Sequence, residues 1–153
     1  MSSPRPNRSR KPKERSKRRE LISRTGMVHG WDASVFVRAE SRHGARERKA
    51  MLVLEARGDL SAPVKKVSSF KLTIFADAEP VVGAAEIPSV GSIISMRESL
   101  DAVVQLADQE FRLVSAMATA GRLTAVHLCF QEPRYGSALI ASCSFDTRAP
   151  DDE

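Results

Sequence analysis

Two cysteines, Cys129 and Cys143, are all that 153 residues contain. That is too few for a disulfide framework, and a reducing compartment would keep both as thiols, so the chain reads as cytoplasmic. Long apolar runs are missing too. None approaches the ~18 residues of a membrane-spanning helix, and the charged N-terminus carries no apolar stretch of the kind a secretory signal needs. No membrane partner is expected. There is no Gly-x-Ser-x-Gly elbow, Gly-rich phosphate loop or His-Glu-x-x-His, so no catalytic residue can be named and no cofactor is implied. Triads assemble from distant positions, which keeps an enzyme in view but ranks it last. Metal ligands are equally sparse. His127 and Cys129 alternate onto one strand face as two zinc ligands could, yet structural zinc takes four, and no second pair stands at suitable spacing. Glu40 and His43 form a single Glu-x-x-His, a metal motif only in duplicate on bundle helices.

What the chain does have is charge, unevenly placed. Residues 1–24 hold ten of the 24 Lys and Arg against two acids, a net +8, while the remainder carries 14 bases and 17 acids, a net −3. Apart from three prolines, residues 2–19 contain no aliphatic or aromatic side chain, so they cannot bury enough surface to offset their ordering entropy and are expected to be disordered. Residues 1–26 are therefore read as a disordered basic tail. Dense Lys and Arg release counterions from phosphate backbones without reading sequence. The candidate contacts for nucleic acid or another polyanion are Arg5, Arg8, Arg10, Lys11, Lys13, Arg15, Lys17, Arg18 and Arg19. A charged run at 42–49, read as a long hairpin loop, adds Arg46, Arg48 and Lys49.

Order is expected from about Trp31, the single tryptophan, plugging one end of the core. Residues 34–40 alternate, with Val35, Val37 and Ala39 on one face of a half-buried strand. Leu52, Leu54 and Ala56 repeat the pattern over 51–57, and Gly58-Asp59 reads as its end. Phe70, Leu72, Ile74 and Ala76 mark a third strand, and the short β-branched runs 90–96 and 102–106 two more. Residues 108–120 fit either a strand or a helix. The helix is preferred: Asp108 suits an N-cap, Phe111, Val114, Met117 and Ala118 form a stripe, and Gly121 stands where a left-handed residue closes a helix.

The clearest hairpin joins 123–131 to 137–146 through Pro133-Arg134-Tyr135-Gly136. A four-residue loop would pair Phe130 with Leu139 and Leu128 with Ala141, and put Cys143 on the core face, opposite Cys129. Arg134 and Tyr135, the only tyrosine, project from the turn as a possible partner contact.

These elements imply a mainly β (α+β) fold: a compact antiparallel sheet, sandwich-like or an open barrel, with one helix near 108–120. A single domain spans 27–148, and 149–153 is a frayed acidic end. The leading expectation is a small non-enzymatic binding protein whose basic arm contacts nucleic acid or another polyanion without sequence specificity. The alternatives are an assembly subunit that self-associates through exposed strand edges or the helix, and an enzyme with an unrecognised site.

Overall fold

The computed structural model describes residues 19–76 and 89–148. Alternating apolar residues build seven strands: β1 (Leu21–Arg42), β2 (Ala45–Val64), β3 (Val67–Ala76), β4 (Gly91–Ser95), β5 (Leu100–Leu106), β6 (Ala125–Gln131) and β7 (Ala138–Asp146), with one helix, α1 (Asp108–Thr119), between β5 and β6. They close into a barrel in the order β1-β2-β3-β5-β4-β7-β6. Neighbours are antiparallel except β3 and β5, which run parallel. The mainly β, one-helix class expected from the sequence is what the structure shows, and full closure leaves the barrel wall without an edge.

Each strand sends alternate residues inward. Leu54 and Ala56 from β2, Leu72 and Ile74 from β3, Val104 from β5, Val126 and Phe130 from β6 and Ile140 from β7 are all at most 1% exposed. α1 packs on β3 and β5 and adds Phe111, Val114 and Ala118 to this core. Its cap differs slightly from expectation: Ala107 is the N-cap, its backbone N–H donating to Glu110 at 3.2 Å, and Asp108 is the first helical residue. Its end is as expected. Gly121 has φ of +70°, and the Gly121 and Arg122 N–H groups donate to the Ala118 and Met117 carbonyls, the two bonds of a Schellman closure.

Four expectations are corrected. Order begins earlier than Trp31: β1 starts at Leu21, inside the stretch assigned to the tail, because Leu21 to Met27 pair with β6 and close the barrel. Trp31 does not plug the core; it lies 39% exposed on the part of β1 that β6 does not reach. The run 42–49 is strand rather than loop. His43 and Gly44 alone turn the chain, both with positive φ, and pairing resumes at Arg42↔Ala45. Gly58-Asp59 does not end a strand either, since β2 continues through both to Val64.

The last hairpin also shifts. Phe130 faces Ile140 because the connection closes differently from the four-residue loop expected, at Arg134↔Ser137, and Leu128 faces Cys143 because a bulge in β7 at Ala141 and Ser142 inserts one further residue. Ala138 and Ile140 point inward before the bulge, and Cys143 and Phe145 pack against the core after it. Leu139 and Ala141 are therefore not the core pair, although Cys143 does keep the core face it was given. Residues 149–153 lie outside the described residues.

Candidate functional site

The first residues of β1 fix where the basic N-terminal segment meets the barrel. The Glu132 N–H donates to the Glu20 carbonyl at 2.8 Å, one step beyond the Leu21↔Gln131 pair. Arg19 Nη1 donates to the Ser137 carbonyl at 3.4 Å. The chain therefore enters beside the β6–β7 connection. Residues 1–18, with Arg5, Arg8, Arg10, Lys11, Lys13, Arg15, Lys17 and Arg18, lie outside the described residues.

That connection is tighter than the four-residue loop expected. Arg134 and Ser137 exchange backbone hydrogen bonds at 3.0 and 3.1 Å, and the two residues between them, Tyr135 and Gly136, have φ of 53° and 74°. Positive φ at both positions is a type I′ turn. Glycine adopts it freely and an aromatic residue does not, yet Tyr135 is fully exposed at 106%, so no packing compensates its strain. His43 and Lys65 hold the same positive φ in the other two tight turns, so what sets Tyr135 apart is the full exposure of its ring. Lys65, in the β2–β3 turn, reaches the same corner, its Nζ donating to the Pro133 carbonyl at 2.7 Å.

Arg19 and Lys65 thus reach the backbone of the connection that carries Arg134 and the projecting tyrosine, and none of the three cations forms an ion pair among the described residues. The sequence offered Arg19, Arg134 and Tyr135 separately. Lys65 was missed. Its signal is a lysine doublet between two strands, which acquires meaning only once barrel closure brings that turn to Pro133.

Arg46, Arg48 and Lys49 do not join this corner. They lie on β2 opposite the far end of β1, separated from Arg19 by up to about 70 Å of strand contour. There, among the described residues, β1 and β2 pair only with each other: β3 joins β2 no further than Leu52↔Ala76, and β6 leaves β1 at Met27. The result is a projecting two-stranded ribbon. Register also divides the three bases. Lys49 pairs with Arg38, on the face where Glu40 neutralises both, contacting Arg38 and lying 4.0 Å from Lys49. Arg46 and Arg48 stand opposite Ser41 and Ala39 on the other face.

A polar groove of about 330 Å³ crosses the seam of β1, β6 and β7, lined by Ser23, Arg24, Thr25, Ser61, His127, Cys129, Ser142 and Ser144 among others. His127 bridges the three strands. Its Nε2 lies 2.6 Å from Asp146 Oδ2 and its Nδ1 2.8 Å from Thr25 Oγ1. In the tautomer protonated at Nε2, that N–H donates to the Asp146 carboxylate and the Thr25 hydroxyl donates to Nδ1, a hydroxyl–imidazole–carboxylate chain of the kind that activates nucleophiles. Arg24 is the cation in the groove; its Nη groups donate to the Ser23 and Pro63 carbonyls at 2.9 and 3.1 Å, and its Nε is buried with no hydrogen-bond partner among the described residues. Thr25 and His127 are direct cross-strand partners, so the chain also fastens the seam. Cys129 shares this outer face with His127, as the alternation predicted, and no cluster of three metal-ligating side chains occurs among the described residues.

Burial pushes the Cys143 thiol up from its ordinary value of 9.0 to about 12. In the unfolded chain the thiol ionises first, so between those pH values the folded form holds more protons and stability falls as pH rises. The contribution is complete below about pH 9 and lost through about pH 12. Urea midpoints measured at about pH 8 and about pH 10.5 should drop more in the natural chain than in Cys143→Ala. Equal drops would mean that the thiol ionises freely in the folded state.

Comparison of the chain with protein-family models, curated proteins and solved structures returns no match.

Proposed function

We propose that this is a non-enzymatic nucleic-acid-binding protein that grips the phosphate backbone without sequence preference and favours single strands. The observation that carries the reading is the junction of the basic N-terminal segment with the β6–β7 turn: Arg19 is seated on Ser137, beside Arg134, Lys65 and the fully exposed Tyr135. A strand tracked by the segment's Lys and Arg side chains is led to a cationic corner with a free aromatic face, and stacking on such a face tolerates any base. Duplex keeps its bases inside, so it gains the electrostatic contacts alone.

The test is a salt titration of binding to short single- and double-stranded DNA and RNA, comparing the full chain, a chain lacking residues 1–18, and Tyr135→Ala. With about five phosphates neutralised, the log–log slope on a single strand should be roughly −3 to −4. Deleting 1–18, which spares β1, should flatten it. Tyr135→Ala should keep the slope and weaken single-strand binding by about five- to a hundredfold, leaving duplex binding nearly unchanged. Equal binding with and without residues 1–18, or none in either, would overturn the reading.

A further inference from the structure

The outer half of β1 carries a pattern that the single chain does not satisfy. Trp31, Ala33, Val35, Val37 and Ala39 form five successive apolar positions on one face, the sequence signature of a strand buried on one side. All five are exposed, with Val35 at 65% and Val37 at 47%. Phe36 and Met51, paired with each other on the opposite face, are 56% and 43% exposed. Of the ten large apolar side chains exposed in the described residues, five lie on this one ribbon. A two-stranded ribbon is marginal in water by itself, and beyond Val28, whose N–H donates to the Thr124 carbonyl, the outer backbone edge of β1 has no ladder partner among the described residues, a template for another strand.

We propose that the edge of β1 pairs with the same edge of a second copy, antiparallel about a two-fold axis through Val35. The register follows from the sequence. Centring on Val35 sets Val35 against Val35, Ala33 against Val37, Trp31 against Ala39 and Asp32 against Arg38, each heteropair occurring twice. Apolar residues meet apolar residues on one face; on the other, Asp32 meets Arg38 and Phe36 meets the uncharged Ser34. Asp32 can accept this partner, since its Oδ2 takes the 2.7 Å bond from Arg57 and Oδ1 has no hydrogen-bond partner among the described residues; Arg38, which contacts Glu40 on its own strand, would be shared between the two carboxylates. Moving the centre to Val37 would put Phe36 against Arg38, and moving it to Ala33 would leave Asp32 facing Ser34. The product is a continuous four-stranded sheet, β2-β1-β1-β2, with the apolar stripe shared across the axis. Isologous pairing of this kind closes on itself and does not polymerise. It does not depend on the nucleic-acid reading, and neither test below involves nucleic acid.

Sedimentation of the full chain at micromolar concentration should give a dimer. Cysteine placed on the axis supplies a sharper measurement, because directly opposed antiparallel residues have Cα atoms about 4.5 or 5.5 Å apart, within the disulfide range. In a Cys129→Ser background, Val35→Cys should cross-link to covalent dimer under mild oxidation far faster than Ile94→Cys, a control 61% exposed on β4. Asp32→Arg and Arg38→Asp should each weaken the dimer about tenfold or more, since each sets like charges opposite one another twice, and the double variant should restore it. A monomer in sedimentation, cross-linking of Val35→Cys no faster than the control, or a double variant no tighter than the single ones would each overturn the proposal.

Discussion

Gly58→Ala should cost about 3 kcal/mol or more, because the overlap is with backbone and cannot be relieved by a rotamer change. A Cβ at Gly58 would lie 1.6 Å from the Met27 carbonyl oxygen and 3.0 Å from the ring of Phe70. β1 meets β2 here at its irregularity between Val28 and Gly30, where the strand bends away from β6 and out toward the ribbon. The same Phe70 ring also covers Gly26, whose added Cβ would come within 2.6 Å of it, so one aromatic ring fills the space that two glycines leave at a barrel corner. Domains are stable by only about 5–15 kcal/mol in total, so the substitution should lower the denaturant midpoint severely or prevent folding. Gly44→Ala is the matched control. It meets nothing within 4 Å and its penalty is only that of φ at +76°, about 1 kcal/mol. Unfolding of both variants in urea, with a Gly58→Ala loss no greater than that of Gly44→Ala, would show that β1 can slide away from β2.

Gly58 also shows why some of the fold was legible in the sequence and some was not. A Gly-Asp pair is a turn signal in general, and nothing local distinguishes it from a glycine required because another strand presses on the backbone. β3, β5 and α1 were legible because their apolar periodicity matches the burial they receive: Phe70, Leu72 and Ile74 inside, and Phe111, Val114 and Ala118 as the helix stripe. The β6–β7 register was lost first at the turn, which closes at Arg134↔Ser137, and then at a bulge at Ala141 and Ser142, which are both exposed and leave no pattern to read. β1 misled in a different way. Its alternation is genuine, but it calls for burial that one chain does not provide. For the candidate site, an exposed Arg-Tyr turn was legible, whereas its union with Arg19 and Lys65 required the β1–β6 closure, a contact between the two ends of the chain. The separation of Lys49 from Arg46 and Arg48 likewise depended on whether the turn held two residues or eight.

Phe130→Ala should be the most damaging truncation in the core, at about 3–5 kcal/mol. Phe130 is the largest fully buried side chain, and it stands where the barrel closes, opposite Ile22 on β1 and Ile140 on β7. Both neighbours belong to strands fixed by their own ladders, so the seam cannot collapse into the space and the cavity term is paid in full. Phe36→Ala provides the contrast, since its ring is 56% exposed and its removal should cost a single chain under about 1 kcal/mol. The two phenylalanines therefore separate the two roles of β1. Loss at Phe130 should appear as a fall in the urea midpoint at every protein concentration, because it weakens the closure that holds Leu21 to Met27 against β6. Loss at Phe36 should leave the unfolding of the isolated barrel nearly untouched and act on the projecting ribbon alone. Equal effects of the two substitutions on the midpoint would mean that the ribbon is an integral part of the barrel's core, and that β1 does not divide at Met27 into a seam strand and an arm.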